Sequence, residues 1–381
     1  MRWRALRPVG EPLVTFDGKI RAADLLPPGF RGYFVDSGTS ALALALVAAR
    51  RMVSGTRMRV LLPAYGCPDL VAAAKYAGLD PFLVDTHTDS PFYRMDALES
   101  VLDGSTAAVV CAHFLGLREN VADIQTMADA VGAVVIEDSA QVFPDWPEAP
   151  SSSLVTYSFG RGKPPGGLGG GLLLVPEDRD IEIVEPPRAP RSMRRTPLRW
   201  LRGIHNIALQ PFVFPWLALL PFLKIGETRY QALKTIYNLE DSLVSAALSQ
   251  IKGGKPYVAG WRDRARRIVT AIDHESPSNT MTALAARHPD AAITRLPLLF
   301  DSPTRRNRVY SRLQSQGLGA SIMYGASLAH IPNMPPVRHA MITGAEQFAQ
   351  RLLTLPLHSD VTAHDLGHMV RAVVEDSSHA Q

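Results

Sequence analysis

Only two cysteines, Cys67 and Cys111, occur in the 381 residues, which excludes a disulfide scaffold and leaves one bridge at most. No apolar leader core follows Met1. The opening "RWRALRPVGEPLVTF" is basic and mixed, so the expected compartment is the cytoplasm. Internal repeats are lacking, and so are the common phosphate-loop signatures. A Walker loop, Gly-x-x-x-x-Gly-Lys-Ser/Thr, fails around Lys163, because Pro164 follows the lysine and Tyr157 stands at the first glycine position. G-x-G-x-x-G has no match in that glycine cluster either. No metal site is expected.

Acid is missing from one long stretch. Between Pro186 and Gly226 there is none, while Arg188, Arg191, Arg194, Arg195, Arg199, Arg202 and Lys224 supply seven positive charges. Taking these seven from 40 basic residues leaves 33 against 36 acids, so the net +4 of the chain resides in this stretch. Such a patch suits a polyanion or an anionic lipid surface. Nucleic acid is not an expected partner.

The length allows two domains and a large core. In the first half, apolar runs alternate with helical patterns. "RGYFVDSG", "RVLLP", "DPFLVD", "AAVVCAHF", "AVVIED", "LVTYSFG" and "GLLLV" read as strands; "TSALALALVAARRMV", "PDLVAAAKYAG" and "VADIQTMADAVG" read as helices. Buried strands separated by helices predict an α/β fold with a mostly parallel sheet, covered on both faces, and ligands at the strands' carboxyl ends. The second half predicts helices in "RARRIVTAIDHE", "PTRRNRVYSRLQSQG" and "TAHDLGHMVRAVVED", with strands in "AAITRLPLLF", "GASIM" and "TLPLHSD". The predicted division is a large domain over 1–255, with an insertion at about 186–226, and a smaller C-terminal α+β domain over 256–381.

Three strand ends carry chemistry. One is Ser37-Gly38-Thr39 ahead of a helix, whose unpaired N–H groups and dipole suit a phosphate. Another is Glu137-Asp138-Ser139-Ala140-Gln141. The third is Ser158-Phe159, with Lys163 and its glycines just beyond. Singly, each has an ordinary reading as a helix cap, a surface acid or a solvated amine. Together they supply a phosphate cradle, a carboxylate and an amine, the set that pyridoxal 5'-phosphate needs. The glycines then let backbone pass close to the cofactor.

These residues resemble the DegT–StrS family of sugar aminotransferases. The resemblance runs through "PVGEPL", "SGTSAL", "LLPAYG", "AAAKYAGLDPFLVD", "VVCAHFLG", "VVIEDSAQVFP" and the "SF" before Lys163, then resumes at "DSLVSAALSQI" and "LTLPLHSDVT". It implies fold type I of the pyridoxal-phosphate enzymes, an aspartate-aminotransferase-like architecture with a large sheet of the seven-stranded type. It also implies a homodimer that moves an amino group from an amino acid, glutamate first, to a keto sugar on a nucleotide or lipid carrier. Carried over by residue, Lys163 is the covalent anchor of the cofactor, Asp138 pairs with its ring nitrogen and Gln141 reaches its ring hydroxyl. Gly38, Thr39 and Ser158 hold the phosphate. Some family members have His where this chain has Lys163 and act as dehydratases, so Lys163 favours transamination. Where the family sets an aromatic on the ring, this chain has Cys67; Tyr65, His113 and Tyr324 are the other candidates for stacking or substrate contact. The family's N-Y-R motif has no clear counterpart, since Asn238 in "TIYNLEDSL" is off register.

Residues 207–223, "IALQPFVFPWLALLPFL", are apolar but broken by Pro211, Pro215 and Pro221, which argues against a straight membrane span. With the arginines and Trp200 ahead of them, residues 187–224 read as an anchor on an anionic membrane, or as an arm on a sister subunit or a cover over an active site. The arginines favour the membrane surface. Two further readings of the whole chain are another pyridoxal-phosphate enzyme (a lyase or non-sugar aminotransferase) and a non-catalytic, membrane-associated member of a polysaccharide assembly system. Intact Lys163 and Asp138 count against the latter.

Overall fold

The computed structural model describes all residues except 1–2, 19, 54, 145–153, 190–196, 221–225, 276–281, 285–287, 289–290 and 376–381. An eight-stranded sheet forms its centre. The strands are β1 (Phe30–Val35), β2 (Arg59–Pro63), β3 (Asp80–Val84), β4 (Thr106–Ala112), β5 (Val134–Asp138), β6 (Leu154–Ser158), β7 (Gly171–Pro176) and the late, two-residue β10 (Arg338–His339). Their spatial order is β1-β7-β6-β5-β4-β2-β3-β10. Of these eight, β7 runs against both its neighbours, β1 and β6, and the strands from β6 to β10 pair in parallel. Seven strands thus come from the first half, as the sequence predicts, and β10 adds an edge.

Apolar runs rather than alternation mark the central strands because helices cover both faces. Along β4, Ala108 and Val110 join the main core with α1 (Gly38–Met52), whereas Val109 and Cys111 pack with Ile124 and Ala128 of α4 (Val121–Val131). Helix α1 is rich in Ala and Leu, is buried along most of its length, and lies against β6 and β7. Its N-cap, Ser37, accepts a hydrogen bond from the Ser40 N–H at 3.0 Å. Two short helices, α2 (Asp69–Tyr76) and α3 (Met95–Val101), complete the wrapping.

Beyond the insertion, with its helices α5 (Leu198–Ala208) and α6 (Phe214–Ala218), the chain enters one long helix, α7 (Asp241–Glu275). It extends the helix predicted in "RARRIVTAIDHE" back to Asp241 and continues through Pro256. A buried stripe from Ala246 through Trp261 to Ile272 offsets the hydrogen bond lost at the proline. A second, antiparallel sheet follows, ordered β11-β9-β8 from β8 (Thr282–Ala283), β9 (Arg295–Leu299) and β11 (Leu352–Pro356). Helices α8 (Pro303–Ser315), α9 (Thr343–Arg351) and α10 (Ala363–Val374) flank it. The "GASIM" segment is not a strand. It makes a single bridge, Ser321 to Thr354, because Gly319 (φ 67°) and Met323 (φ 54°) turn the backbone left-handed.

The N-terminal segment stitches the molecule together. Buried Arg7 donates to the carbonyls of Gly10 and Leu209 and to the Asp360 carboxylate. Arg4 binds both oxygens of Asp365, at 2.7 and 2.8 Å. Asp365 also closes a capping box with Thr362 at the start of α10. Burial opposes ionisation of Asp365, but the Arg4 guanidinium and the Thr362 N–H and O–H more than offset it and hold its pKa at about 2. A carboxyl lowered by folding stabilises above its ordinary pKa and loses that contribution as pH falls. Asp365→Asn should therefore cost about 1–2 kcal/mol at pH 7. In urea melts, the gap to wild type should close as pH approaches 2; a gap independent of pH would refute this role.

Candidate active site

A cleft of about 240 Å³ opens at the carboxyl ends of the parallel strands. Five of the strands contribute at their ends or through the residues that follow. After β1 come Asp36, Ser37, Gly38 and Thr39; after β2, Tyr65 and Cys67; after β4, His113. Asp138 ends β5 and Ser158 ends β6, and Gln141 and Lys163 complete the wall. Nine of the residues singled out from the sequence thus line one cavity. Tyr324 stands one layer behind, its hydroxyl accepting from Gln141 Nε2 at 3.0 Å.

One end of the cleft is a backbone cradle. A Cβ on Gly38 would lie 2.5 Å from the Ser158 Cβ, and one on Gly171 would lie 2.2 Å from the Ser37 carbonyl oxygen. Neither position has room for a side chain, so the α1 N-terminus sits directly against the end of β6. The Ser158 hydroxyl accepts from the Gly160 N–H at 3.3 Å and starts the turn toward Lys163.

Asp138 accepts one hydrogen bond, from the Ala140 N–H at 3.0 Å. Burial pushes its pKa up, against that bond and the nearby Lys163 and His113. A positive group placed beside this carboxylate would therefore be strongly favoured. His113 is locked in one tautomer. Its Nδ1 accepts the Glu119 N–H at 3.1 Å, so its Nε2–H donates to Glu137 at 2.9 Å. Glu119 itself accepts from the Tyr93 and Asn120 N–H groups, yet burial lifts it to about 7. Burial and Asp69 push Cys67 up to about 12, so at neutral pH it is a thiol wall, not a nucleophile.

Gln141 is held at both ends, because its Oε1 accepts from the Leu115 N–H at 3.2 Å while Nε2 binds Tyr324. Leu115 (φ 55°) and Met323, the residue before Tyr324, are both left-handed, so backbone strain is concentrated on either side of this amide. Tyr65 packs edge-on against Phe348, ring centroids 4.9 Å apart, and is tilted against Tyr324 at 5.6 Å.

Several groups at the site escaped the sequence reading. Asp36 lines the cleft with a buried Oδ1 that has no hydrogen-bond partner, and Asp69 lines it at the start of α2. Position directly after β1 was the available signal for Asp36. Asn238 lies elsewhere, bridging to Val35 and Arg188 beside a separate surface depression.

The sequence model of the DegT/DnrJ/EryC1/StrS aminotransferase family matches residues 32–188 and 223–374. A UDP-N-acetyl-3-dehydro-alpha-D-glucosamine 3-aminotransferase of Acidithiobacillus ferrooxidans is 30% identical over 152 residues, 38% of this chain and 40% of that protein. The aligned segments span about two fifths or less of the curated relatives. Among solved structures, a DegT DnrJ EryC1 StrS aminotransferase from Brucella abortus superposes with TM-score 0.64 at 17% identity, covering 92% of this chain and 86% of that one. NtdA from Bacillus subtilis, with bound cofactor PMP, gives 0.68 at 15% identity, covering 91% and 73%. The fold is therefore fold type I.

Contact between Gly38 and Ser158 is directly testable. Gly38→Ala should lower stability by about 1–3 kcal/mol through overpacking. Adding Ser158→Gly should recover at least about 1 kcal/mol of that loss in a double-mutant cycle. Additive losses would mean that the two do not touch.

Proposed function

The chain belongs to the DegT/DnrJ/EryC1/StrS aminotransferase family, and on that premise we propose that it is a pyridoxal-phosphate-dependent aminotransferase. It would pass an amino group from an amino acid, glutamate first, to a keto sugar on a nucleotide or lipid carrier, in polysaccharide or glycoconjugate synthesis. The observation carrying this reading is the convergence of Lys163, Asp138 and the α1 N-terminus on one cleft. The donor set fits the cofactor. The side-chain-free cradle at Gly38, Thr39 and Ser158 suits its phosphate, and Asp138 suits a protonated ring nitrogen. When bound, the cofactor supplies the electron sink for amine transfer.

The protein's own groups do the rest. Lys163 Nζ would hold the cofactor, and its amine would carry the proton as base and then acid. Asp138 keeps negative charge fixed at the end of β5. Gln141 and His113, both tied at two points, hold the walls of the cleft in place. Residues 1–255 would form the cofactor-binding unit and 256–381 a second unit closing the cleft, with α7 as a continuous strut between them. A homodimer is part of the proposal. Borohydride reduction of protein loaded with pyridoxal phosphate should label Lys163, read by peptide mass spectrometry, and Asp138→Asn should slow amine transfer by ~100-fold or more. Label elsewhere, or an unaltered rate, would overturn the assignments.

We also propose a cytoplasmic enzyme lying on an anionic membrane surface. Among the described residues, no helix is long and apolar enough to cross a membrane. Helix α5 is docked inside out. Arg202 donates to Thr15 at 2.7 Å, and the Asn206 amide pairs with the N–H and carbonyl of Leu13. His205, pushed down to about 4 by burial, with Arg161 and Arg7 nearby, also faces the protein. Trp200, Ile204 and Ile207 are left exposed at helical spacing, followed by Phe212, Trp216 and Leu219. Arg191, Arg194, Arg195 and Lys224 lie outside the described residues. Binding to vesicles should rise with anionic lipid, weaken with salt, and drop with the Trp200→Glu, Ile204→Glu pair. If the pair alters only the oligomeric state, the stripe is a subunit arm.

A further inference from the structure

Charge in the cleft runs against its proposed guest. Among the described residues, the charged groups lining it are Asp36, Asp69, Asp138 and Lys163, three carboxyl groups to one amine. Tyr65 and Cys67 stay neutral, because burial raises both. His113 has its Nδ1 occupied as an acceptor and its Nε2–H on Glu137, so neither nitrogen is open to a second proton. Asp138 would face the ring nitrogen, and Lys163 would be taken up in holding the cofactor. That leaves Asp36, the residue between β1 and the Ser37 N-cap, beside Gly38 and Thr39 of the cradle. Its backbone is satisfied. The N–H donates to the Tyr237 carbonyl at 3.0 Å, and the carbonyl accepts from the Gly170 N–H at 3.2 Å. Its Oδ1 is buried with no hydrogen-bond partner. On the outer side, Arg188, Glu240 and Asp241 line the separate surface depression, and none of them bonds this oxygen.

A phosphate monoester loses its second proton near pH ~6, so in neutral solution it is mostly a dianion. Beside the Asp36 carboxylate, that dianion would bring three negative charges together. The dipole at the α1 N-terminus offsets only about half a charge. Neighbouring acids in such a position do not both ionise, and one proton stays between them. A buried carboxylate oxygen without a donor also calls for an O–H or N–H. Of the two phosphate forms, only the monoanion carries an O–H. We infer that Asp36 makes the cradle selective for a phosphate monoanion: one phosphate oxygen keeps its proton and donates it to Oδ1 of Asp36. Above pH ~6 that proton has to come from water, so binding takes up one proton. This inference rests on the cofactor reading above.

Fluorescence titration of the cofactor-free protein with pyridoxine 5'-phosphate tests it. That compound has the ring and the phosphate but no aldehyde, so Lys163 forms no bond to it. Wild type and Asp36→Asn are compared between about pH 6.5 and 8, the range over which the free phosphate is losing its second proton. Asparagine keeps the shape, removes the charge and offers the phosphate an N–H. Proton uptake at the ring nitrogen is common to both proteins and cancels in the ratio of their Kd values. Wild type should weaken relative to the variant as pH rises, and the ratio should climb by ~10-fold per pH unit. A flat ratio overturns the inference. Phosphorus NMR of wild type loaded with pyridoxal phosphate decides the matter even if Asp36→Asn fails to fold. At pH 8 the bound resonance should lie at the position of the free monoanion; a resonance at that of the free dianion overturns the inference and leaves the cofactor reading standing. Wild type that binds neither compound overturns both. A climbing ratio in a protein that transfers no amine would sink the amine-transfer reading alone.

Discussion

Everything at the cleft depends on one steric constraint, the contact of backbone with backbone where α1 begins. Gly38 lies against Ser158, and Gly171 against the Ser37 carbonyl, with no space for a Cβ at either position. That contact brings the end of β1 to the ends of β6 and β7 across the sheet. It leaves the first turn of α1 facing a cavity instead of another side chain. A helix N-terminus is an anion site only when nothing already fills it, and here the glycines keep it open. The same packing fixes the origin of the loop that carries Lys163, because that loop departs from Ser158.

Around this frame the electrostatics are those of a site organised for a charged guest. Asp138 is a carboxyl whose ionisation burial resists, with a single backbone N–H to satisfy it. Arg306 is the reverse case, a cation with buried nitrogens left unpaired. Neither arrangement favours the charged form in the isolated chain. Gln141 sits between the two regions. It binds the β4 loop on one side and Tyr324 on the other, and both backbone neighbours are strained. One amide thereby ties the large sheet to the wall contributed by the C-terminal elements.

The insertion obeys a different logic. An amphipathic helix on a globular surface ordinarily turns its apolar stripe inward. Helix α5 does the opposite, because the N-terminal segment offers it backbone polar groups at Leu13 and the Thr15 hydroxyl. Arg202 and Asn206 are consumed by docking, and its tryptophan and isoleucines remain outside. Through Arg7, which binds the Leu209 carbonyl, and Arg161, which neighbours His205, this arm is fixed close to the loop of Lys163.

The amino-acid sequence by itself determined the class of the fold and which residues the large sheet gathers at one edge. Apolar runs of strand length, spaced by Ala-rich helices, can bury themselves only in a covered, mostly parallel sheet, so β1 to β7 were legible. Lys163, Asp138 and Gly38 were legible because each directly follows a strand or opens a helix, and the sheet then has to gather them at one edge. The C-terminal elements were less legible. Glycine and methionine in "GASIM" do not announce left-handed backbone, and Pro256 hides the continuity of α7, whose buried stripe forms only on contact with β6, β7, α10 and the N-terminal segment. Tertiary structure alone decided where Tyr324 stands, that Gln141 is clamped, that α5 shows its apolar face, and that Arg295 and Arg306 lie beside Tyr65 with no acid acting on them among the described residues. Those facts depend on contacts between residues far apart in the chain, and local pattern carries no record of which distant side chain will be missing a partner.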